Sequence, residues 1–478
     1  MDSNRKTTEQ QRKPLLSRRN LLKTLGAGVA GGAVLYGADK LRLLPGADTP
    51  LPEPPRDRMT CRTHPRSGDR VSLLGFGCMR LPMLADADSR TGPDVDEAAA
   101  FELVDYALAH GVNYFDTAWP YHGGVSETVL GKALRRHPRE SFFLADKMPT
   151  WLAPTREQAE ELFERQLEKC QVAYFDYYLL HSIQSVSLYR QVYEQNGVLD
   201  YLLAEKAAGR IRHLGWSFHG DQETLDYMLS RGVAWDFALM QLNYHDLMSV
   251  EPDEKPSGGR QKPATSGRPA PARWMYDRMQ ASGLPLIVME PLLGGRLARL
   301  NGKALAVLQA ERPQASAASW AFRYVAGLPN VLTVLSGMTY REQLEDNIRT
   351  FAPLEPLSER ERDILRQSLA LFLTQDNIRC NLCGYCMPCP YGVDIPAVFG
   401  HYNRCLDDGH IPKGTRDKDY EAARRAYLVE YERSVPELRQ AARCTGCRKC
   451  VNHCPQMLDI PAELARLARV VEQLRTEV

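Results

Sequence analysis

From residue 71 to about residue 350 the chain switches repeatedly between a short apolar run and a longer stretch with helical spacing. The runs are LLGFGC (73–78), NYFDT (113–117), FFLADK (142–147), FDYYLLH (175–181), IRHLGWS (211–217), FALMQLN (237–243), LPLIVME (284–290) and VLTVLS (331–336). Between them, apolar residues recur at intervals of three and four, as in EAAAFELVDYALAHG (97–111), which stops at Gly111. The stretches 127–136, 155–170, 197–208, 221–231, 273–282, 314–325 and 340–350 repeat that pattern. A helix after each strand lets successive strands run parallel, and eight such units predict an α/β fold closed into a (β/α)8 TIM barrel. An open doubly wound sheet is the rival, weakened because no strand leads into a GxGxxG turn.

Ahead of the first run, MTCRTHPRSGDRV (59–71) reads as a hairpin turning at Ser67-Gly68, suited to closing the barrel floor. The segment EPDEKPSGGRQKPATSGRPAPA (251–272) has no apolar periodicity and reads as an irregular insertion after the sixth strand, a tolerated loop before it is a lid.

In such a barrel the C-terminal strand ends converge on one mouth. Asp116 ends the second run, Lys147 the third and His181 the fourth, while Tyr121 follows the second in a Pro/Gly-rich loop. Singly, a strand-end Asp is a cap and a lone His is structural; at three successive strand ends the four residues form a constellation. They suit carbonyl chemistry. Reducing a C=O leaves an alkoxide that must be protonated, and a phenol of pKa near ~10 holds a proton to give. Lys147 is expected to lower that pKa, Asp116 to hold Lys147, and His181 to orient the carbonyl oxygen. Trp119, His122 and Trp151 are candidates for the pocket wall.

Asp116, Tyr121, Lys147 and His181, set in FDTAWPYHGGVSE, ADK and YYLLHS, resemble the catalytic tetrad of the aldo-keto reductase family over roughly residues 70–350. The resemblance implies a nicotinamide cofactor, NADP(H) or NAD(H), and a small carbonyl or alcohol substrate. It places Trp216, Ser217 and Gln241 at the carboxamide, and Met289, Glu290, Leu292 and Gly294 in the cofactor loop after the seventh strand. Ser336, Gly337, Gln343 and Asn347 then fall in the adenosine segment. Gly337 and Gln343 stand where NADPH-preferring members carry a Lys or Arg, so the choice of dinucleotide stays open.

Nine of the twelve cysteines lie in the last hundred residues, which points to a metal module rather than a disulfide framework. RCNLCGYCMPCPYGVDIP holds Cys380, Cys383, Cys386 and Cys389; RCTGCRKCVNHCPQMLDIP holds Cys444, Cys447, Cys450 and Cys454. The second run is C-x2-C-x2-C-x3-C-P, the ferredoxin spacing for a 4Fe-4S cluster. The first has x2 before its last Cys, and zinc is the alternative. Two clusters are expected, each with three ligands from one run and one from the other; a single cluster at 444–454 is the other possibility. Cys61, Cys78, Cys170 and Cys405 read as core thiols. Barrel and cysteine tail together resemble the iron–sulfur branch of the aldo-keto reductases, whose C-terminal domain is ferredoxin-like and mainly α-helical.

The basic leader, residues 1–44, with SRRNLLK (17–23) and TLGAGVAGGAVLYGA (24–38), resembles a twin-arginine signal, either cleaved or kept as an N-terminal membrane anchor. It implies the twin-arginine export machinery as partner and a location in the periplasm or on the outer face of the cytoplasmic membrane. A Pro-rich linker (45–58), the barrel (59–355), a connecting helix (356–375) and the ferredoxin-type domain (376–478) follow. Net charge is +1, so no bulk field draws nucleic acid and no such partner is expected. The chain thus reads as an exported oxidoreductase with an unknown redox partner. The alternative is a non-catalytic iron–sulfur electron-transfer or structural subunit with a vestigial barrel.

Overall fold

A computed structural model describes residues 52–84, 95–249, 271–412, 414 and 418–476. The twin-arginine leader and residues 251–270 of the insertion lie outside the described residues. An antiparallel hairpin, β1 (Cys61–Thr63) and β2 (Arg70–Ser72), comes first. Eight parallel strands follow: β3 (Leu74–Gly77), β4 (Tyr114–Asp116), β5 (Phe143–Met148), β6 (Phe175–Ile183), β7 (Ile211–Phe218), β8 (Phe237–Gln241), β9 (Leu286–Met289) and β10 (Val331–Ser336). They close in the order β10-β3-β4-β5-β6-β7-β8-β9, the barrel expected from the alternation.

Side-chain parity decides what faces the axis, because alternate residues of a strand point to opposite faces. Tyr114, Ala145, Tyr177, Leu179, Phe237, Leu239, Ile287 and Leu335 fill the interior, whereas Phe115, Leu144, Tyr178 and Val288 join the core beneath the helices. Counting on by two from Tyr114, Ala145 and Leu179 reaches Asp116, Lys147 and His181. The helices start where side chains satisfy their free N–H groups, as Asp96 does for Glu97–Ala109 and Thr155 with Gln158 for Arg156–Cys170.

The hairpin seals the N-terminal end of the barrel. His64 is fully buried with its ring 4.6 Å from that of His213, and the Arg62 guanidinium donates to the Ala326 carbonyl at 2.6 Å. Past the barrel, the helix Glu359–Phe372 is clamped by Arg323, which donates to both carboxylate oxygens of Glu361 at 2.8 and 3.0 Å. The helices Ile395–Asp407, Tyr420–Ser434 and Ile460–Thr476 then share a second core of Ile378, Phe399, Tyr427, Val435, Leu464 and Leu467.

The N-terminal membrane anchor is corrected. Among the described residues no helix is long and apolar enough to cross a membrane, and residues 24–38 lie outside them.

Candidate active site and cysteine centre

Asp116 closes β4, Lys147 stands one residue before the end of β5, and His181 lies in the last third of β6. Tyr121 opens a short turn, Tyr121–Gly124, in which His122 takes a left-handed backbone, φ 51°. The His122 imidazole accepts from the Leu81 N–H at 3.1 Å, which ties this turn to the first strand's loop. The four residues meet at one mouth. Lys147 Nζ donates to Asp116 Oδ1 and to the Thr117 carbonyl, both at 2.6 Å, and lies 3.4 Å from the Tyr121 hydroxyl. Asp116, Lys147 and His181 are all at most 4% exposed.

Burial sets the protonation states. It raises the Asp116 carboxyl above its ordinary value despite Lys147. Burial, then the Asp116 charge, push the Tyr121 phenol well above its ordinary value. This corrects the expectation that Lys147 lowers it: the ammonium lies closer to the Asp116 carboxylate, so its field is largely cancelled at the phenol. Tyr121 therefore holds its proton throughout the neutral range. Burial, then Lys147 and His219, hold His181 well below the usual imidazole range. It is a neutral ring whose Nδ1 has no hydrogen-bond partner. Trp151, half exposed, sits with its ring 5.0 Å from that of His181. Among the candidate wall residues, His122 is bound into its turn and Trp119 lies under the Lys169 ammonium at 4.0 Å.

A fifth group, missed from sequence, reaches the mouth from the C-terminal domain. Tyr385, between Cys383 and Cys386, couples to the Tyr121 phenol and opposes the rise in its pKa that burial and Asp116 cause. The signal for it was slight, a large aromatic side chain between two ligand cysteines. Its neighbours dock beside it. Arg80 donates to the Asn381 carbonyl at 2.7 Å, Arg379 to Asp246 Oδ1 at 2.9 Å, and Gln456 to Gln241 Oε1 at 2.7 Å.

The residues proposed for nicotinamide are largely engaged within the chain. Gln241 also donates to Asp246 Oδ2 at 2.8 Å, and Ser217 Oγ accepts from the Ser182 N–H at 2.6 Å. Glu290 accepts from the Gly294 N–H at 2.6 Å, and burial raises its carboxyl. Ser336 accepts from Asn347 at 3.0 Å, while Gln343 Oε1 accepts from the Thr339 and Tyr340 N–H groups at 2.9 and 3.2 Å. Met289 and Leu292 pack on apolar neighbours, and Trp216 is buried with its indole N–H unpartnered. A Cβ placed on Gly294 would lie 2.4 Å from Asn381 Cα, and one on Gly337 would lie 2.6 Å from Arg80 Cγ. This arrangement does not fit a bound dinucleotide, because protein backbone and the Arg80 stem fill the glycine cradle.

The cysteines fit their role better. Cys380, Cys383, Cys386 and Cys454 line one cavity with the apolar side chains of Ile395, Phe399, Leu458 and Ile460. Burial, opposed by a backbone hydrogen bond and reinforced by neighbouring thiols, pushes Cys380 up to about 12 and Cys383 up to about 11. Burial likewise pushes Cys450 up to about 11, and Cys444, Cys447 and Cys389 add to it. Sulfurs that oppose one another's ionisation mark a place for a shared cationic group. Cys78, Cys170 and Cys405 are buried core thiols as expected, and half-buried Cys61 contacts the Met59 carbonyl. His401, Cys405 and Glu430 also bring three ligand atoms within 4.8 Å of one another, a grouping the sequence reading did not anticipate. A four-iron cube spreads its sulfur ligands more widely than this spacing, which suits a single ion.

The family model described as the aldo/keto reductase family matches residues 73–369, and that of a 4Fe-4S dicluster domain matches residues 379–460. Among curated proteins, the chain is 28% identical to a probable aldo-keto reductase 1 of Glycine max, over 31% of this chain and 42% of that protein. It is 34% identical to L-galactose dehydrogenase of Arabidopsis thaliana, over 31% of this chain and 45% of that protein. Each of these matches thus spans less than half the length of the relative. A solved aldo-keto reductase of Bacillus halodurans, in its holo form, superposes with a TM-score of 0.50 at 24% identity, covering 65% of this chain and 96% of that one.

Proposed function

This chain belongs to the aldo/keto reductase family, and from that footing we propose that it interconverts a carbonyl and an alcohol on a small molecule, with Tyr121 as general acid. Its reductase domain is fused to a 4Fe-4S ferredoxin-type domain. The observation that carries the reading is the Tyr121 hydroxyl 3.4 Å from an ammonium that is itself held 2.6 Å from Asp116.

The carbonyl oxygen lies against Tyr121, with the neutral His181 ring turned to donate to it. When a two-electron donor delivers hydride to the carbonyl carbon, a C–H bond forms there and the C=O π pair moves onto oxygen. The Tyr121 O–H bond breaks, and its proton passes to that oxygen. The phenolate left behind is held by Lys147, and the coupled Tyr385 hydroxyl turns to donate to it. Alcohol oxidation runs the same proton backwards. Burial keeps the acid loaded and removes competing water, which strengthens each of these contacts.

Cys380, Cys383, Cys386 and Cys454 would hold one 4Fe-4S cluster, and Cys444, Cys447, Cys450 and Cys389 a second. Such clusters supply one-electron transfers when bound, drawing on a separate redox partner. The barrel would run over residues 59–355 and the ferredoxin-type domain over 376–478, joined by the helix-bearing stretch 356–375. We further propose that the SRRNLLK leader directs export of the folded, cluster-loaded chain by the twin-arginine route. Cell fractionation of an Arg18→Lys/Arg19→Lys variant tests that, with retention in the cytoplasm expected.

For the chemistry, cluster-replete protein is assayed with reduced methyl viologen against aldehydes, ketones and alcohols, beside its Tyr121→Phe variant. A loss of ~10²–10⁴ in turnover is expected. Unchanged turnover removes Tyr121 from the acid role. The engaged nicotinamide residues favour a second reading, a non-catalytic electron-transfer subunit, and no turnover with any donor selects it.

A further inference from the structure

One segment accounts for the closure of the dinucleotide cradle. Gly294, with φ +67°, presents bare backbone, and the Asn381 backbone lies directly on it. The Asn381 carbonyl accepts from Arg80, whose aliphatic stem covers Gly337, and the Asn381 side chain reaches Glu290. Asn381 is 3% exposed. On one flank Arg379 pairs with Asp246, which also takes the Gln241 amide. On the other, Tyr385 meets Tyr121. The remaining end of Gln241 is taken by Gln456, two residues beyond Cys454. Gln241, Glu290, Gly294 and Gly337, drawn from three strand ends, thus contact this segment, the Arg80 side chain that holds it, or Gln456 of the same C-terminal domain.

We propose that the segment Arg379–Cys386 is a built-in occupant of the dinucleotide groove. Segment and dinucleotide exclude one another, and NADP(H) or NAD(H) binds only when the segment has lifted away. An interface that merely bordered the groove would leave the glycines open to solvent. Here backbone sits on backbone at separations that admit no flat ring between them. The docked state sets the cysteine-lined cavity beside the carbonyl site, with Tyr385 spanning the two. The released state exposes the cradle. This inference does not depend on the acid role of Tyr121, since dinucleotide binding and carbonyl turnover are read separately.

The test is calorimetric titration of full-length, cluster-replete protein with NADPH and with NADH, comparing the native chain with an Arg379→Ala/Gln456→Ala variant. Neither residue is a cysteine ligand or a member of the tetrad. The variant is expected to bind at least about tenfold more tightly, because two of the bonds that dock the C-terminal domain on the barrel mouth are lost. Hydrogen–deuterium exchange on the native chain gives a second readout, with NADPH near saturation expected to raise exchange across residues 379–386. Equal affinity in the two proteins overturns the proposal, and so does binding to neither. Tight binding while exchange over 379–386 stays unchanged overturns it as well.

Discussion

Replacing Lys147 by Met probes the charge arrangement on which the site is built. In the native chain Asp116 is 2% exposed; Oδ1 accepts from Lys147 at 2.6 Å and Oδ2 has no partner. Removing the ammonium leaves a buried carboxylate with no counter-charge, a change that typically costs ~3–5 kcal/mol. The cost has a ceiling, because Asp116 can take up a proton instead. From the ordinary value of 3.8, protonation at pH 7 costs about 4.4 kcal/mol, and at pH 5 about 1.6 kcal/mol. In the variant the folded state binds a proton that the unfolded chain releases, so its stability relative to the native chain falls as pH rises above 3.8. Lys147→Met is therefore expected to lose about 3–4 kcal/mol at pH 7 and no more than about 1.6 at pH 5, with most of the loss recovered in Lys147→Met/Asp116→Asn. Urea unfolding followed by tryptophan fluorescence at the two pH values measures it. A loss that is equal at pH 5 and pH 7, or that Asp116→Asn does not relieve, refutes the argument that the pair is electrostatic.

Tyr385→Phe removes the donor to Tyr121 and should cut carbonyl turnover by about five- to tenfold, the worth of one hydrogen bond of ~1 kcal/mol, with iron content unchanged; equal turnover would separate Tyr385 from the acid. Against burial, which raises it, hydrogen bonds and charge from Arg323 and Arg312 hold Glu361 at about 2, below its ordinary 4.5. Together with the Ser358 N–H these contacts should contribute about 3 kcal/mol above pH 4.5, lost as pH falls toward 2, and Arg323→Met should flatten the acid limb of the stability profile in part. Cys454→Ser should lower iron content and alter the EPR spectrum of the reduced protein, whereas Cys405→Ser, away from the cysteine-lined cavity, should leave both unchanged.

The barrel and the tetrad were legible along the chain because each depends on short-range order. Strand parity alone sets Tyr114 and Asp116, Ala145 and Lys147, and Leu179 and His181 on the inner face, and closure of the sheet then brings the strand ends together. The iron–sulfur domain was legible for a similar reason, since metal geometry imposes cysteine spacing locally. Cys454 of the second run lines the same cavity as Cys380, Cys383 and Cys386 of the first.

Two matters were decided by tertiary structure. The direction of the Tyr121 shift follows from depth of burial and from Asp116 capturing the Lys147 charge, neither of which residue types disclose. The return of the C-terminal domain onto the barrel mouth was equally invisible. Arg80 and Asn381 are 301 positions apart, and Gln241 and Gln456 are 215 apart. Contacts at such separations carry no periodicity and no spacing rule; they arise when two finished surfaces find complementary shape and hydrogen bonds. The chain's own order of residues determined a barrel, a tetrad and an iron–sulfur module, while the docking of one on the other, which governs what can enter the mouth, belongs to the folded molecule.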